Sequence, residues 1–346
     1  MKNAGLGLVL MLFLCMVDYH FFQKKLIAIG AYVLPLILLV MVFIPGIGVT
    51  DGGATRWIAI GSFNFQPSET MKIGMVIFYS YVITKNYDNM RYFLRGMLPM
   101  LLALLVPAAL LIKEPHISAT ALIVMTCIIL IFVGGVNLKQ FLLIGIIGAA
   151  GALLVVSIMS RNYDYIQKRI QSWVDPFADS QGNTWQTCQS LIAIGSGGLF
   201  GLGLGESRQK YLYLPETKND FVFSIVCEEL GLVGALTVVL LFTLLVIRGF
   251  YIAMRAKDKF GMLMAIGLTS HIGLQAFFNI AVVSNLIPNT GISLPFFSYG
   301  GTALILQLAE MGIVLNISRV RYQSPQRVPA AERAPQAEVQ LQGGNA

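Results

Sequence analysis

Apolar residues run along this chain in long blocks separated by short polar breaks. Nine blocks approach the roughly 20 residues that a helix needs to cross the hydrocarbon core of a bilayer. They lie near 4–22, 26–44, 68–84, 94–112, 119–135, 141–160, 221–248, 261–284 and 298–318. The breaks carry Gly, Pro, Asn and charge, as helix ends do. The pattern predicts an all-α polytopic membrane protein with about nine transmembrane helices. The first block is the weakest, because its continuous apolar core runs only from Ala4 to Val17 before Asp18. It also reads as a secretory leader, but no A-x-A cleavage site follows it.

Two stretches depart from the pattern. The segment 161–219 is too polar to span and too long for an ordinary connection, and loops of that length are usually functional. The segment 319–346 is rich in Pro and Gln and lacks apolar periodicity, which predicts a disordered tail. The expected organisation is a transmembrane domain over 1–318, containing an extracytoplasmic loop 161–219, followed by a disordered cytoplasmic tail 319–346.

Composition agrees with this reading. Hydrophobic residues make up 56% of the 346 and charged residues 12%, about half the charged share of a soluble domain. A soluble fold could not hide that much apolar surface, and a disordered chain would not contain it. Cys15, Cys127, Cys188 and Cys227 show no CxxC spacing, and three sit in or beside apolar blocks. They read as buried thiols.

The net charge of +7 would suggest nucleic acid in a soluble protein. In a membrane protein it marks the cytoplasmic loops, so no nucleic-acid partner is expected. Placing Lys24 and Lys25 inside also places Lys85, Arg91, Arg95, Lys139, Arg248, Arg255, Lys257, Lys259 and the tail arginines inside. The N-terminus is then outside and the C-terminus cytoplasmic.

The polar residues at membrane depth carry the functional signal. Most lie toward the outer ends of the blocks. The segment Gln66–Lys72 reads Q-P-S-E-T-M-K. Ser68 is the expected N-cap, and Glu69 and Lys72 share a face at i, i+3. Glu114, Pro115 and His116 follow Lys113 at another outer end. His271, Gln275 and Asn279 recur at i, i+4, i+8, a stripe that should face the bundle interior and bond across helices. The glycine run 195–205 has no GxxxxGK[ST] spacing, so it is not a P-loop. Asp220 opens the seventh block and is followed by Glu228 and Glu229. Eight residues place Asp220 and Glu228 about 12 Å apart along a helix, too far to flank one glycosidic bond as an acid and base pair. These patterns suit either a transporter or an enzyme acting on a lipid-linked substrate.

Several longer motifs narrow the choice. R-W-I-A-I-G (56–61) is followed by Q-P-S-E (66–69) and Lys72. Q-S-L-I-A-I-G-S-G-G-L (189–199) precedes Y-L-P-E (213–216), Asp220 and E-E-L-G-L (228–232). P-N-T-G-I-S-L-P-F-F-S-Y-G-G-T-A-L closes the series at 288–304. From about residue 5 to 318 the chain resembles the SEDS family of shape, elongation, division and sporulation proteins. It is more like the FtsW and SpoVE branch than the RodA branch.

The resemblance implies a peptidoglycan glycosyltransferase of the bacterial plasma membrane. Its members polymerise lipid II, a disaccharide-pentapeptide on undecaprenyl pyrophosphate, beside a class B penicillin-binding protein and other division or sporulation proteins. The family's essential aspartate falls on Asp220, and its charged cavity pair on Glu69 and Lys72. The expected substrate-binding residues are Arg56, Trp57, Glu69, Lys72, Glu114, His116, Gln189, Ser190, Lys210, Glu228, Asn279, Thr290 and Ser298. Members usually have ten spans with the N-terminus inside, so the chain reads as lacking the first. The Glu114-Pro115-His116 loop departs from the family's pattern.

A sugar hydroxyl acceptor needs a base, which Asp220 supplies. A pyrophosphate leaving group needs positive charge, from Arg56, Lys72, Lys210 or a divalent cation. No cofactor is otherwise expected. The competing readings are a lipid II flippase and a pure scaffold for division partners.

Overall fold

The computed structural model describes residues 2–322 except 52–53, 61–62, 163, 181, 183, 211–213, 216 and 218. The described residues are mostly helical, at 73%. A helix occupies each of the nine apolar stretches: α1 Lys2–Met16, α2 Lys25–Met41, α3 Pro67–Lys85, α4 Leu98–Lys113, α5 Ile117–Val133, α6 Leu138–Asn162, then α9 Val222–Met254, α10 Lys259–Val283 and α11 Gly301–Tyr322. The long polar segment adds α7 Asp164–Val174 and α8 Trp185–Ser196. By length and apolarity Phe93–Lys113, Val222–Met254, Lys259–Val283 and Gly301–Arg319 can each cross a membrane, and Lys2–Met16, Lys25–Met41, Ile117–Val133 and Leu138–Gly151 are shorter apolar helices.

The first expected span is shorter than its apolar block. α1 ends at Met16, and a 3₁₀ turn, Tyr19–Gln23, leads to α2. Asp18 causes the break, because its carboxylate accepts from the His20 backbone N–H and caps the turn. The expected N-cap of α3 also moves. Gln66 is the N-cap and Pro67 the first helical residue, where a missing N–H costs nothing. Ser68 therefore lies inside the first turn, with its hydroxyl buried.

A small sheet was not expected. β1 Gly48–Asp51, β2 Ala54–Ile60 and β3 Phe63–Phe65 form an antiparallel meander between α2 and α3, with Val49 opposite Trp57 and Ile58 opposite Phe65. The T-R-W-I-A-I run is β-branched and aromatic, and Ile58 is buried while Ala59 is exposed. That is the period of two of a half-buried strand.

α10 is the axis of the bundle. It packs on α9, α5, α3 and α11, while α2 lies along α3 and α1 along α11. Helices come closest where a side chain is missing. A Cβ on Gly74 would stand 2.0 Å from the Ala31 carbonyl oxygen, and one on Gly312 would stand 2.5 Å from that of Met11. Small residues permit this backbone approach. Cys127, Cys188 and Cys227 are buried and all four cysteines are free.

The glycine run is explained by a break in α9. Gly231 sits at φ 66°, ψ −165°, which interrupts the helix. The 197–203 loop docks there. Leu202 and Gly203 donate to the Glu228 and Glu229 carbonyls at 2.9 and 3.0 Å, and Leu232 and Val233 donate to Gly198 and Leu199 at 2.9 and 3.2 Å. Groups freed by the break are thus satisfied within the protein, which a buried or lipid-facing backbone requires.

Candidate active site

At the Pro67 end of α3 lies a polar cavity of about 340 Å³. Its lining is drawn from parts of the chain far apart in sequence, with Gln186 of α8 and Gln275 of α10 among them. Glu69 and Lys72 come from the first turns of α3, Arg56 and Trp57 from β2, and His116 from the α4–α5 turn. Arg169 comes from α7, Asp220 from the residues before α9, and Asn289 to Ala303 from the segment leading into α11. Among the described residues its charged lining is three cations, Arg56, Lys72 and Arg169, and two carboxylates, Glu69 and Asp220.

Glu69 and Lys72 form the expected i, i+3 pair at 2.8 Å, and both are buried. Lys72 also donates to Gln275 Oε1 at 3.3 Å, tying α3 to α10. Gln275 in turn donates to the Ser293 carbonyl and hydroxyl at 3.1 Å. One charged pair is therefore held by three elements.

Asp220 is not the N-cap of α9; that position is Phe221. Asp220 stands one residue earlier, and its position is fixed through the backbone. Asn279 Nδ2 donates to the Asp220 carbonyl at 2.7 Å and to the Ile292 carbonyl at 2.6 Å. Ser298 Oγ donates to the Asn219 carbonyl at 2.5 Å and accepts from Leu294 N–H at 2.7 Å. The carboxylate lies over Gly291, where a Cβ would sit 3.2 Å from Asp220 Oδ2. Gly291 has φ 68°, so its lack of a side chain both permits the turn and leaves room for the carboxylate.

Beside them, Arg56 donates to the Glu114 and Pro115 carbonyls at 3.4 and 2.5 Å. Its guanidinium is spent on backbone, so burial dominates at Glu114 and pushes its carboxyl up to about 8 despite the nearby Arg56 charge. Burial, helped by Arg56 and Lys72, pushes His116 well below the usual histidine range. Burial thus disfavours the charged form of both groups.

Of the candidates, Arg56, Trp57, Glu69, Lys72, His116 and Asp220 line the cavity together. Glu114, Asn279 and Ser298 stand behind it and hold its walls, and the Thr290 hydroxyl is buried beside Gly291. Four candidates lie elsewhere. Ser190 bonds Ser224 and the Val283 carbonyl, both at 2.8 Å, which fastens α8, where Gln189 is also buried. Glu228 accepts from the Ser207 hydroxyl and the Arg208 and Gln209 N–H groups, folding the 207–209 turn. Lys210 pairs with Glu229 at 2.8 Å.

Sequence reasoning missed Arg169, Gln186 and Asn289. Arg169 donates to the Asn289 carbonyl at 2.6 Å, and Asn289 Nδ2 to Gln186 Oε1 at 3.0 Å. The only local signal for Arg169 is the amphipathic stretch of α7, which carries Lys168 equally well. Among the described residues, no group of three His, Cys, Asp or Glu could hold a metal ion.

Residues 1–323 match the model of the FTSW_RODA_SPOVE family, described as cell cycle proteins. The chain belongs to this family. Stage V sporulation protein E of Bacillus subtilis is 42% identical over 318 residues, covering 91% of this chain and 85% of that protein. A probable peptidoglycan glycosyltransferase FtsW of Geobacter sp. (strain M18) is 39% identical over 302 residues, 87% and 81% of the two chains. Among solved structures, a chain of a peptidoglycan synthase complex that coordinates polymerisation and crosslinking superposes with a TM-score of 0.76 at 28% identity, over 93% and 89% of the two chains. The rod shape determining protein RodA of Thermus thermophilus superposes at 0.66 and 27% identity, over 93% and 87%. The family member described here is thus a multi-pass membrane protein with the RodA fold.

Proposed function

We propose that this chain is a peptidoglycan glycosyltransferase that polymerises lipid II at the outer face of the bacterial plasma membrane, in division or sporulation. The reading rests on one observation. Asp220 and three cations share a single polar cavity at the end of an apolar bundle. The names of its relatives support it, and so does the basic charge of the loops at the opposite end.

The cavity divides the chemistry between its walls. The acceptor sugar hydroxyl attacks the anomeric carbon of the donor. A new C–O bond forms there as the bond to the pyrophosphate oxygen breaks. Asp220 takes the hydroxyl proton, and the polyprenyl pyrophosphate leaves with the bonding electrons. Direct displacement inverts the anomeric centre, so one carboxylate suffices. Arg56, Lys72 and Arg169 offset the charge that builds on the pyrophosphate, and they do so as preorganised groups. Glu69 keeps Lys72 at the wall. The partner is a class B penicillin-binding protein that crosslinks the product.

The test is polymerisation of purified lipid II by the chain with its transpeptidase partner, read as glycan strands on a gel. Asp220→Asn keeps size and removes the base, and should lower the rate by about 10²- to 10⁴-fold with an unchanged melting temperature. Wild-type product from this variant would end the assignment of Asp220 as base.

A further inference from the structure

A second cavity lies at the other end of α3. It measures about 460 Å³ and is lined by His20, Gln23 and Lys24 from the α1–α2 connection, and by Tyr81, Thr84 and Lys85 from the last turns of α3. Lys85 follows Lys72 by thirteen residues on one helix, about 20 Å of rise. The two cavities therefore occupy opposite ends of the bundle.

The lining is built to hold an anion. The Lys24 ammonium lies 5.3 Å from the Phe21 ring centroid and that of Lys85 lies 5.9 Å from the Tyr81 ring. Aromatic faces hold both cations in place without neutralising them. Among the described residues, neither lysine has a carboxylate partner. The nearby carboxylates are engaged elsewhere. Asp18 takes the His20 backbone N–H and ring, and Asp258 takes the Tyr19 hydroxyl, His20 Nε2 and the Gly261 N–H. Thr84 spends its proton on the Ser80 carbonyl at 2.6 Å, which leaves Gln23 and Tyr81 as the neutral donors. Lys24 is also the N-cap of the 17-residue α2, so the positive end of that helix meets the same rim.

Two ammonium groups, an amide, a phenol and a helix N-terminus suit a compact polyoxoanion. Phosphate is the biological one. Its source is indicated by the surroundings. Phe21 and Leu26 beside the pocket are 45% and 85% exposed, an apolar surface fit for acyl chains. The same end carries Lys25, Arg91, Arg95 and Lys139, the charge that an anionic leaflet attracts. We propose that this pocket binds a phosphate group, carried by an anionic lipid of the leaflet opposite the catalytic cavity.

The full chain in detergent would be titrated with phosphatidylglycerol, with phosphatidylcholine, and with inorganic phosphate alone, reading retained lipid by native mass spectrometry and stability by thermal melting. Phosphatidylglycerol should be retained in preference to phosphatidylcholine. The double variant Lys24→Gln/Lys85→Gln should weaken that retention by about thirtyfold. Lys24→Arg/Lys85→Arg should preserve it, which guards against loss of fold. Arg91→Gln/Lys139→Gln removes equal charge outside the pocket and should weaken retention far less than the pocket double variant. Stabilisation by inorganic phosphate alone, lost in the Gln double variant, would assign a soluble phosphate to the same pocket. Equal losses in the two charge-removing double variants, or no response to either phosphate source, would overturn the proposal.

Discussion

Glu69 and Lys72 are both nearly inaccessible to water, so each depends on the other for its charge to be tolerated. Removing one strands its partner. Glu69→Gln or Lys72→Met alone should cost roughly 3–5 kcal/mol, and the double variant Glu69→Gln/Lys72→Met should recover much of that. Chemical denaturation of the three variants in one detergent measures the coupling, and additive single losses would mean that the pair is solvated. Glu114 makes a different prediction. Its carboxyl is raised from 4.5 to about 8 in the folded chain. Between those values the folded chain holds a proton that the unfolded chain has released, so stability falls as pH rises through the window. Melting of the wild type should drop from pH 5 to pH 8, and Glu114→Gln should flatten that part of the drop. Parallel slopes in the two proteins would place Glu114 in water.

At the scale of elements, the junction of α9 with the 197–203 loop is the most constrained feature. A Cβ on Gly231 would lie 2.4 Å from Gly201 N and 2.6 Å from the Leu199 carbonyl, and φ there is 66°. Gly231→Ala has neither the space nor the backbone conformation it needs. The expected result is loss of folded protein on detergent extraction, whereas Gly195→Ala, which meets nothing within 4 Å, should extract and melt as wild type. Equal yields for the two variants would show that the junction relaxes. The local pattern exposed the glycines but not their purpose. Their spacing excludes a nucleotide loop, but nothing local to the run shows that they pack against the break in α9. The meander was hidden for a similar reason, because β1 and β3 are too short to show a period by themselves.

For the molecule as a whole, the two ends of α3 define two chemically different faces. One holds Asp220 and its cations, the other the Lys24–Lys85 pocket and the basic loops. Charge asymmetry predicts that the second face is cytoplasmic. Single cysteines at Lys139 and at Trp173, in a background lacking the four native thiols, would test this in intact cells. A membrane-impermeant maleimide should label Trp173→Cys and not Lys139→Cys; the reverse pattern would invert the topology and remove the proposed outer-face reaction.

The sequence by itself determined where the nine apolar helices lie, because a backbone in hydrocarbon must bond to itself and needs long apolar blocks to do so. It also determined the Glu69–Lys72 pair, since i, i+3 neighbours meet on any helix, and the inward face of His271, Gln275 and Asn279. His271 indeed meets Glu310 at 2.9 Å. Only the tertiary structure decided which polar groups share a cavity. Arg169 and Asp220 are brought together across a 51-residue separation by the packing of α7 and the α9 entrance around the 289–303 segment. Lys210 and Glu228, which stand closer to Asp220 in the chain, turn away to fold the 207–210 turn against α9. Helical periodicity reports which face a residue occupies. Which distant face it meets is set by packing between elements, and that leaves no periodic trace in the chain.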